Sequence, residues 1–314
     1  MVVGTRAAPV VVLVVVMSLI GMSQASATIE PVKIFGGRTD QFNPGANGSW
    51  IGWTANSVDS PTHYDAFVRP LPISPGATKY QLNATKQAIF GGITPDTNEA
   101  VVQQFNNKGS DLHVYDLTTG SPVKESDPVG LNTSGWEAFP AISKDSIMFL
   151  RKGRTSERLL LFDRNGVQST LKLDEVDYAM GSIEVGNVTE NYATWTKCVV
   201  RCNVFYYDIT GGDTHRVPNP NKRFLYAGST TDATGQMYFV RSGTSCGAHV
   251  TIRRWLIGSA STTIVTVASL PDGYDVLRTF TFNDGSHDNV YFDRLRCGGT
   301  YYSDIYEVPA ADTG

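Results

Sequence analysis

Gly243-Thr-Ser-Cys-Gly247 satisfies Gly-x-Ser-x-Gly, the spacing that in hydrolases presents a nucleophilic serine, here Ser245. The spacing does chemistry only on a strand-to-helix elbow beside an oxyanion hole, with a histidine and an acid following in the chain. Around Ser245 the residues predict a β-hairpin instead, with the run from Ala248 continuing as strand, and only 67 residues follow Gly247. The five histidines, His63, His113, His215, His249 and His287, are scattered along the chain and form no ligand pair. Asp40, Asp96, Glu99, Glu137, Glu184, Asp232 and Asp284 fall in or near loops that could line the mouth of a central channel, where a hard cation would take oxygen ligands. No Asp-x-[Asp/Asn]-x-[Asp/Asn]-Gly loop accompanies them, and acidic loops are ordinary in a chain with 30 acidic and 26 basic residues. No catalytic, cofactor-binding or metal-binding residue is assigned.

The four cysteines, Cys198, Cys202, Cys246 and Cys297, lack the paired short spacings of a zinc site. In an exported chain an even count predicts disulfides, and four cysteines allow three pairings. Cys198 and Cys202 could close a tight hairpin loop, which would leave Cys246 to meet Cys297. Export is expected from the first residues: Arg6, an apolar stretch from Ala7 to about Met22, then Ala25-Ser26-Ala27 in the small-x-small form of a signal-peptidase site. Residues 1–27 are therefore expected to be a signal peptide and residues 28–314 the folded domain, with no later run long enough to span a membrane. Four Asn-x-Ser/Thr sequons begin at Asn47, Asn83, Asn132 and Asn187.

The elements that would position any site repeat. Apolar-alternating runs at 50–57, 100–107, 146–153, 191–198, 236–243 and 289–296 recur 45 to 53 residues apart. Each is followed by a short turn and a second strand, closed in three units by Asp116, Asp163 or Asp208 and then by Gly120, Gly166 or Gly211. Two more short strand candidates separate successive hairpins, giving about four strands per unit. Periods of this size mark propeller blades. The expected fold is all-β, a six-bladed β-propeller of four-stranded antiparallel blades. The segment 28–33 should supply the outer strand that the last blade lacks, removing an exposed edge. Ile-Phe-Gly-Gly occurs at 34–37 and 89–92, with looser echoes at 178–182 and 225–229. These stretches are expected in innermost strands, where backbones converge and a Cβ would collide. Of the tryptophans, Trp50, Trp53, Trp136 and Trp255 could form a recognition patch, but aromatic residues of a propeller mostly pack between blades.

Phe139-Pro-Ala-Ile-Ser-Lys-Asp-Ser-Ile-Met-Phe-Leu150, followed by Arg158-Leu-Leu-Leu-Phe-Asp163, resembles the Ala-x-Ser-Pro-Asp-Gly box and strand pair of TolB-like six-bladed propellers. Residues 231–244 and 282–294 carry weaker forms of the box, which is incomplete in every unit. The resemblance spans residues 28–314 and implies a secreted propeller without a separate catalytic domain. Paired glycines also suggest a kelch-type propeller, although they stand in two units only.

Net charge of −4 and the absence of a cationic cluster argue against nucleic acid or an anionic membrane as the main partner. The expected function is a monomeric, non-enzymatic scaffold, without cofactor, that binds a protein or glycan outside the cytoplasm in a secreted or periplasmic setting. The alternative is a propeller-type metal-dependent hydrolase or lactonase with an ion in the central channel.

Overall fold

The computed structural model describes residues 31–35, 39–56, 62–73, 76–83, 86–125, 127–166, 169–283, 288–298 and 303–311. The expected leader, Asp284 and His287 lie outside these residues. Among the described residues the strands are joined by turns and loops, and the one helical element is a turn of 3-10 helix at Ser261–Thr263. No helix among the described residues is long and apolar enough to cross a membrane.

After β1 (Val32–Phe35) the first unit comprises β2 (Gln41–Ala46), β3 (Trp50–Asn56), β4 (Tyr64–Pro70) and β5 (Tyr80–Gln81). The second is β6 (Ala88–Ile93), β7 (Glu99–Asn106), β8 (Gly109–Asp116) and β9 (Val123–Lys124). The third is β10 (Trp136–Ile142), β11 (Ser146–Lys152), β12 (Ser156–Asp163) and β13 (Thr170–Asp177). The fourth is β14 (Ser182–Val188), β15 (Tyr192–Cys198), β16 (Cys202–Asp208) and β17 (Asp213–Arg216). The fifth is β18 (Leu225–Thr231), β19 (Gln236–Ser242), β20 (Thr251–Leu256) and β21 (Val265–Ser269). The sixth is β22 (Tyr274–Asn283), β23 (Asp288–Arg296) and β24 (Ser303–Ala311).

The first, fourth and fifth units are four-stranded antiparallel sheets, and β1 completes the sixth by pairing with β24 through Val32↔Glu307 and Lys33↔Tyr306. The second and third units are joined into one eight-stranded sheet by a single parallel pair, Trp136↔Ser110. The structure therefore contains four separate four-stranded blades, not the six expected. The cause is local: Gly109 has no Cβ, which would lie 3.3 Å from Trp136 Cβ, so the start of β8 can approach β10. Ser110 Oγ then donates to the Glu137 carbonyl.

The units pack face to face. Each hydrophobic cluster draws on two neighbours, such as Leu150 and Leu159 against Ile183 and Trp195. The ring is closed by Ile51 and Trp53 against Tyr291 and Ile305. The first strands, β2, β6, β10, β14, β18 and β22, touch one another in succession and β22 returns to β2. Close approach at this centre excludes side chains: a Cβ on Gly91 would strike the Pro140 carbonyl, and one on Gly186 would lie 2.5 Å from the Ser229 carbonyl. Of the Ile-Phe-Gly-Gly pair, the copy at 89–92 lies in the inner strand β6 as expected. The copy at 34–37 does not: Ile34 and Phe35 belong to the outer closing strand β1, and the inner strand of that unit is β2. The echo at 178–182 lies mostly in the turn ahead of β14, whereas 225–229 is in β18.

The Asp residues after the third strands make a repeated local turn. Asp116, Asp163 and Asp208 each accept the backbone N–H two residues on, at 2.7, 2.9 and 3.0 Å. Cys198–Cys202 closes the β15–β16 hairpin, from the end of one strand to the start of the next, and Cys246–Cys297 ties the fifth unit to the sixth.

Candidate functional site

The first strand of every unit carries a register shift against the second: at Phe42/Gly45, Phe90/Gly92, Ala138/Ala141, Val185/Val188, Ala227/Thr230 and Val276/Thr279. A bulge turns backbone groups and side chains away from the sheet, here toward the axis. Asn43 and Phe139 hold left-handed backbone at these bulges, with φ of 51° and 50°. Several of the freed N–H groups are met from a neighbouring unit. Phe90 N–H donates to Thr54 Oγ1 at 2.9 Å, and Phe139 N–H to Gln103 Oε1 at 3.0 Å.

Beyond the bulges the C-terminal ends of β6, β10, β14, β18 and β22 converge on a cup of about 230 Å³. Buried Ile93, Ile142, Val188 and Phe280 line it from within, and exposed Asp96, Lys144 and Glu190 stand at its margin beside Asp232 and Thr234. Asp232 accepts from Thr234 Oγ1 at 2.8 Å and from Gln236 N–H at 2.7 Å. Burial pushes its carboxyl above the usual range, against those hydrogen bonds and with the help of the Asp288 charge. Asp288 in turn accepts the Tyr238 hydroxyl proton at 2.6 Å.

Toward the other end, past the bulges, Glu184 of β14 faces Arg278 of β22, with Nε 3.9 Å from Oε1. Burial raises the Glu184 carboxyl to about 7. The Arg278 guanidinium opposes the shift and the Asp293 charge adds to it. Asp293 is fully buried and accepts the N–H groups of Arg278 at 2.8 Å and Asn43 at 3.3 Å.

The residues singled out by the sequence are distributed as follows. Asp96 and Asp232 meet at the cup, and Glu184 lies deeper on the axis. Glu99 is paired with Arg164, Glu137 with Arg151, and Asp40 accepts from Asn56 and Ser303. Lys144, Glu190 and Arg278 complete the axial set without having been singled out. Their signal is positional: each stands in or just after an inner strand. Ser245 sits exposed in a hairpin loop, and among the described residues no hydrogen bond joins its hydroxyl to a histidine or carboxylate. The histidines stay apart: His63 lies beside Asp65, His113 bonds Asp127 at 2.8 Å, and His215 stacks on Tyr206. Among the described residues the three side chains close enough to share an ion are Cys246, Asp275 and Cys297, and both sulfurs are in the disulfide. Trp50, Trp53 and Trp255 are buried, leaving Trp136 exposed. The sequon asparagines are structural. Asn47, Asn83, Asn132 and Asn187 all donate their Nδ2 protons to backbone carbonyls.

A wider depression of about 880 Å³, lined by His63, Phe105, Lys108 and Asp111 among others, opens away from these strand ends.

No protein-family model matches the chain, and no curated protein matches it by sequence. Solved structures do match in fold. TolB from Acinetobacter baumannii aligns with a TM-score of 0.53 at 13% identity, over 83% of this chain and 64% of that one. This chain thus spans less than two thirds of that protein. A protein assigned as TolB from Agrobacterium tumefaciens aligns with a TM-score of 0.57 at 11% identity, over 87% and 91% of the two chains. An oligogalacturonate lyase in complex with manganese aligns at 0.52 and 9% identity, over 91% and 97%. Sheets of antiparallel strands packed around converging inner strands, together with these alignments, give the chain a TolB-like β-propeller fold.

Proposed function

We propose that the protein is an exported, monomeric binding scaffold that engages an extracytoplasmic protein or glycan through the loop face around the axial cup. Residues 1–27 act as the export signal and residues 28–314 form one domain. In this reading the eight-stranded sheet counts as two blades, because only one strand-pairing residue pair, Trp136↔Ser110, links its halves, which brings the ring to six. The observation that carries the reading is the cup itself. At about 230 Å³ it falls below the roughly 300–1,000 Å³ of cavities that enclose a small-molecule substrate. Its apolar interior and charged margin suit a projecting side chain or chain end of a larger partner. The alternative, a metal-dependent hydrolase, has less support, since the one ligating cluster among the described residues contains a disulfide.

The test is affinity capture from the native extracytoplasmic fraction with wild-type protein, with an Asp96→Lys/Glu190→Lys variant at the cup, and with a Lys108→Glu control elsewhere. A stoichiometric partner retained by wild type and control but lost by the cup variant supports the scaffold. Equal capture by all three, or no partner, overturns it.

A further inference from the structure

We propose that the edge of the fourth unit carries a second binding site, separate from the axial cup, for an anionic, hydroxyl-rich sugar chain. Two depressions of about 280 and 140 Å³ share Arg201 and Asn203 and so form one groove. It begins at the tip of the β15–β16 hairpin, where the Cys198–Cys202 disulfide holds Val199, Val200 and Arg201 outward; Val200 is 91% exposed. From there it passes Asn203 and Arg216 to Asn219, Lys222 and Phe224.

Charge sets the class of ligand. Arg201, Arg216 and Lys222 are exposed, and among the described residues none has an ion-pair partner. No carboxylate lines either depression. The fourth cation, Lys197, is bound to Asp174 at 2.6 Å, and that acid also accepts Trp195 Nε1–H at 3.0 Å. On a protein of net charge −4 this is a local reversal of sign, and like charges gathered without counter-charge favour an anion.

A second, independent feature narrows the ligand. Asn219 Nδ2 donates to the Phe224 carbonyl at 3.2 Å, while its Oδ1 is buried in the groove with no hydrogen-bond partner among the described residues. An orphaned buried acceptor calls for a donor. An ionised carboxylate, a sulfate or a phosphodiester by itself presents only acceptors to such a recess. A sugar hydroxyl donates and accepts. Phe205 and Phe224 offer apolar surface for a sugar ring, and the guanidinium groups match carboxylate or sulfate in bidentate fashion.

The test uses the disulfide-bonded full chain in isothermal titration with a mannuronate hexasaccharide. Comparison titrants are the mannose hexasaccharide, which has hydroxymethyl in place of each carboxylate, a sulfated hexasaccharide, a hexaglutamate peptide, inorganic phosphate and anionic phospholipid vesicles. The uronate or the sulfated sugar should bind, more weakly as salt rises, with the neutral sugar at least about tenfold weaker. Which anionic sugar binds tighter identifies the acid group. Arg201→Ala and Arg216→Ala should each lower affinity about tenfold, while Asp96→Lys/Glu190→Lys at the cup leaves it unchanged. Both arginines are exposed, so circular dichroism should show intact folds. Absence of sugar binding, tighter binding of the peptide, phosphate or vesicles, or affinity indifferent to both arginines overturns the proposal.

Discussion

Glu184 should make the protein less stable as pH rises, and its replacement should remove the effect. The usual glutamate value of 4.5 is moved to about 7, chiefly by burial. Below about pH 4.5 the carboxyl is neutral in both folded and unfolded chains, and the full stability is present. Between 4.5 and 7 the unfolded chain releases its proton while the folded protein holds it, so stability is lost progressively until the folded carboxyl also ionises. At about 1.4 kcal/mol per pH unit the loss has an upper bound of roughly 3 kcal/mol. The side chain keeps 32% of its surface on the axis, and solvent screening reduces the expectation to about 1–2 kcal/mol. Glu184→Gln keeps the shape and can still accept the Gly228 N–H, but it cannot ionise. Urea unfolding followed by tryptophan fluorescence, run on both proteins from about pH 4.5 to 8.5, should show equal stability at the acid end. The variant should lead by about 1–2 kcal/mol at the alkaline end. Titration elsewhere cancels in the difference. A difference that is flat across the range, or wild type gaining on the variant as pH rises, would refute the reasoning and make the Glu184–Arg278 pair a net stabilising one.

Gly91→Ala should cost about 1–3 kcal/mol because its Cβ meets the Pro140 carbonyl and ring. Gly120→Ala, in open space with φ of 74°, should cost only about 1 kcal/mol of backbone strain, a contrast that thermal melts resolve. Thr54→Val preserves volume but leaves the Phe90 N–H unpaired in the core, a loss of about 1–3 kcal/mol in urea unfolding. Removing Cys246–Cys297, which spans 51 residues, should cost roughly 4 kcal/mol by chain entropy, and removing Cys198–Cys202, which spans 4, roughly 2 kcal/mol. Equal melting shifts for the two double Cys→Ser variants would contradict that account.

Second and third strands were legible because their aromatic and β-branched residues alternate and because Asp116, Asp163 and Asp208 form turns from their own neighbours. Inner strands were not. In β2 the run Gln-Phe-Asn-Pro-Gly-Ala mixes burial on both faces with a bulge at left-handed Asn43, so no period survives. The repeated letters Ile-Phe-Gly-Gly misled because the same four residues stand in different places: Ile34 and Phe35 lie in the outer closing strand β1, whereas 89–92 lies in the inner strand β6, where a Cβ on Gly91 would meet the Pro140 carbonyl. The joining of the second and third units into one sheet rests on a single strand pair, Trp136↔Ser110, which no local pattern encodes. At the cup, Asp96 and Asp232 were visible as loop acids. Lys144 and Glu190 become meaningful only once their strand ends are brought together across the ring. Arg278 was hidden inside what reads as strand.

The same bulges explain why a carboxylate sits at position 293. Where the first unit meets the second, and the second meets the third, one bulge N–H is satisfied by one neutral side chain, Thr54 or Gln103. Where the sixth unit meets the first, two N–H groups face each other across the closing seam, those of Arg278 and Asn43. Asp293 accepts both with its two oxygens, at 2.8 and 3.3 Å, a task beyond a single hydroxyl in that geometry. A fully buried anion is costly unless hydrogen-bonded and balanced, and the Arg278 guanidinium that interacts with it supplies the counter-charge. Arg278 is then shared with Glu184, which remains a weak competitor and keeps its raised proton affinity. The ring is thus fastened at its outer edge by β1 on β24 and at its centre by Asp293. The titratable glutamate on the axis follows from the inner fastening.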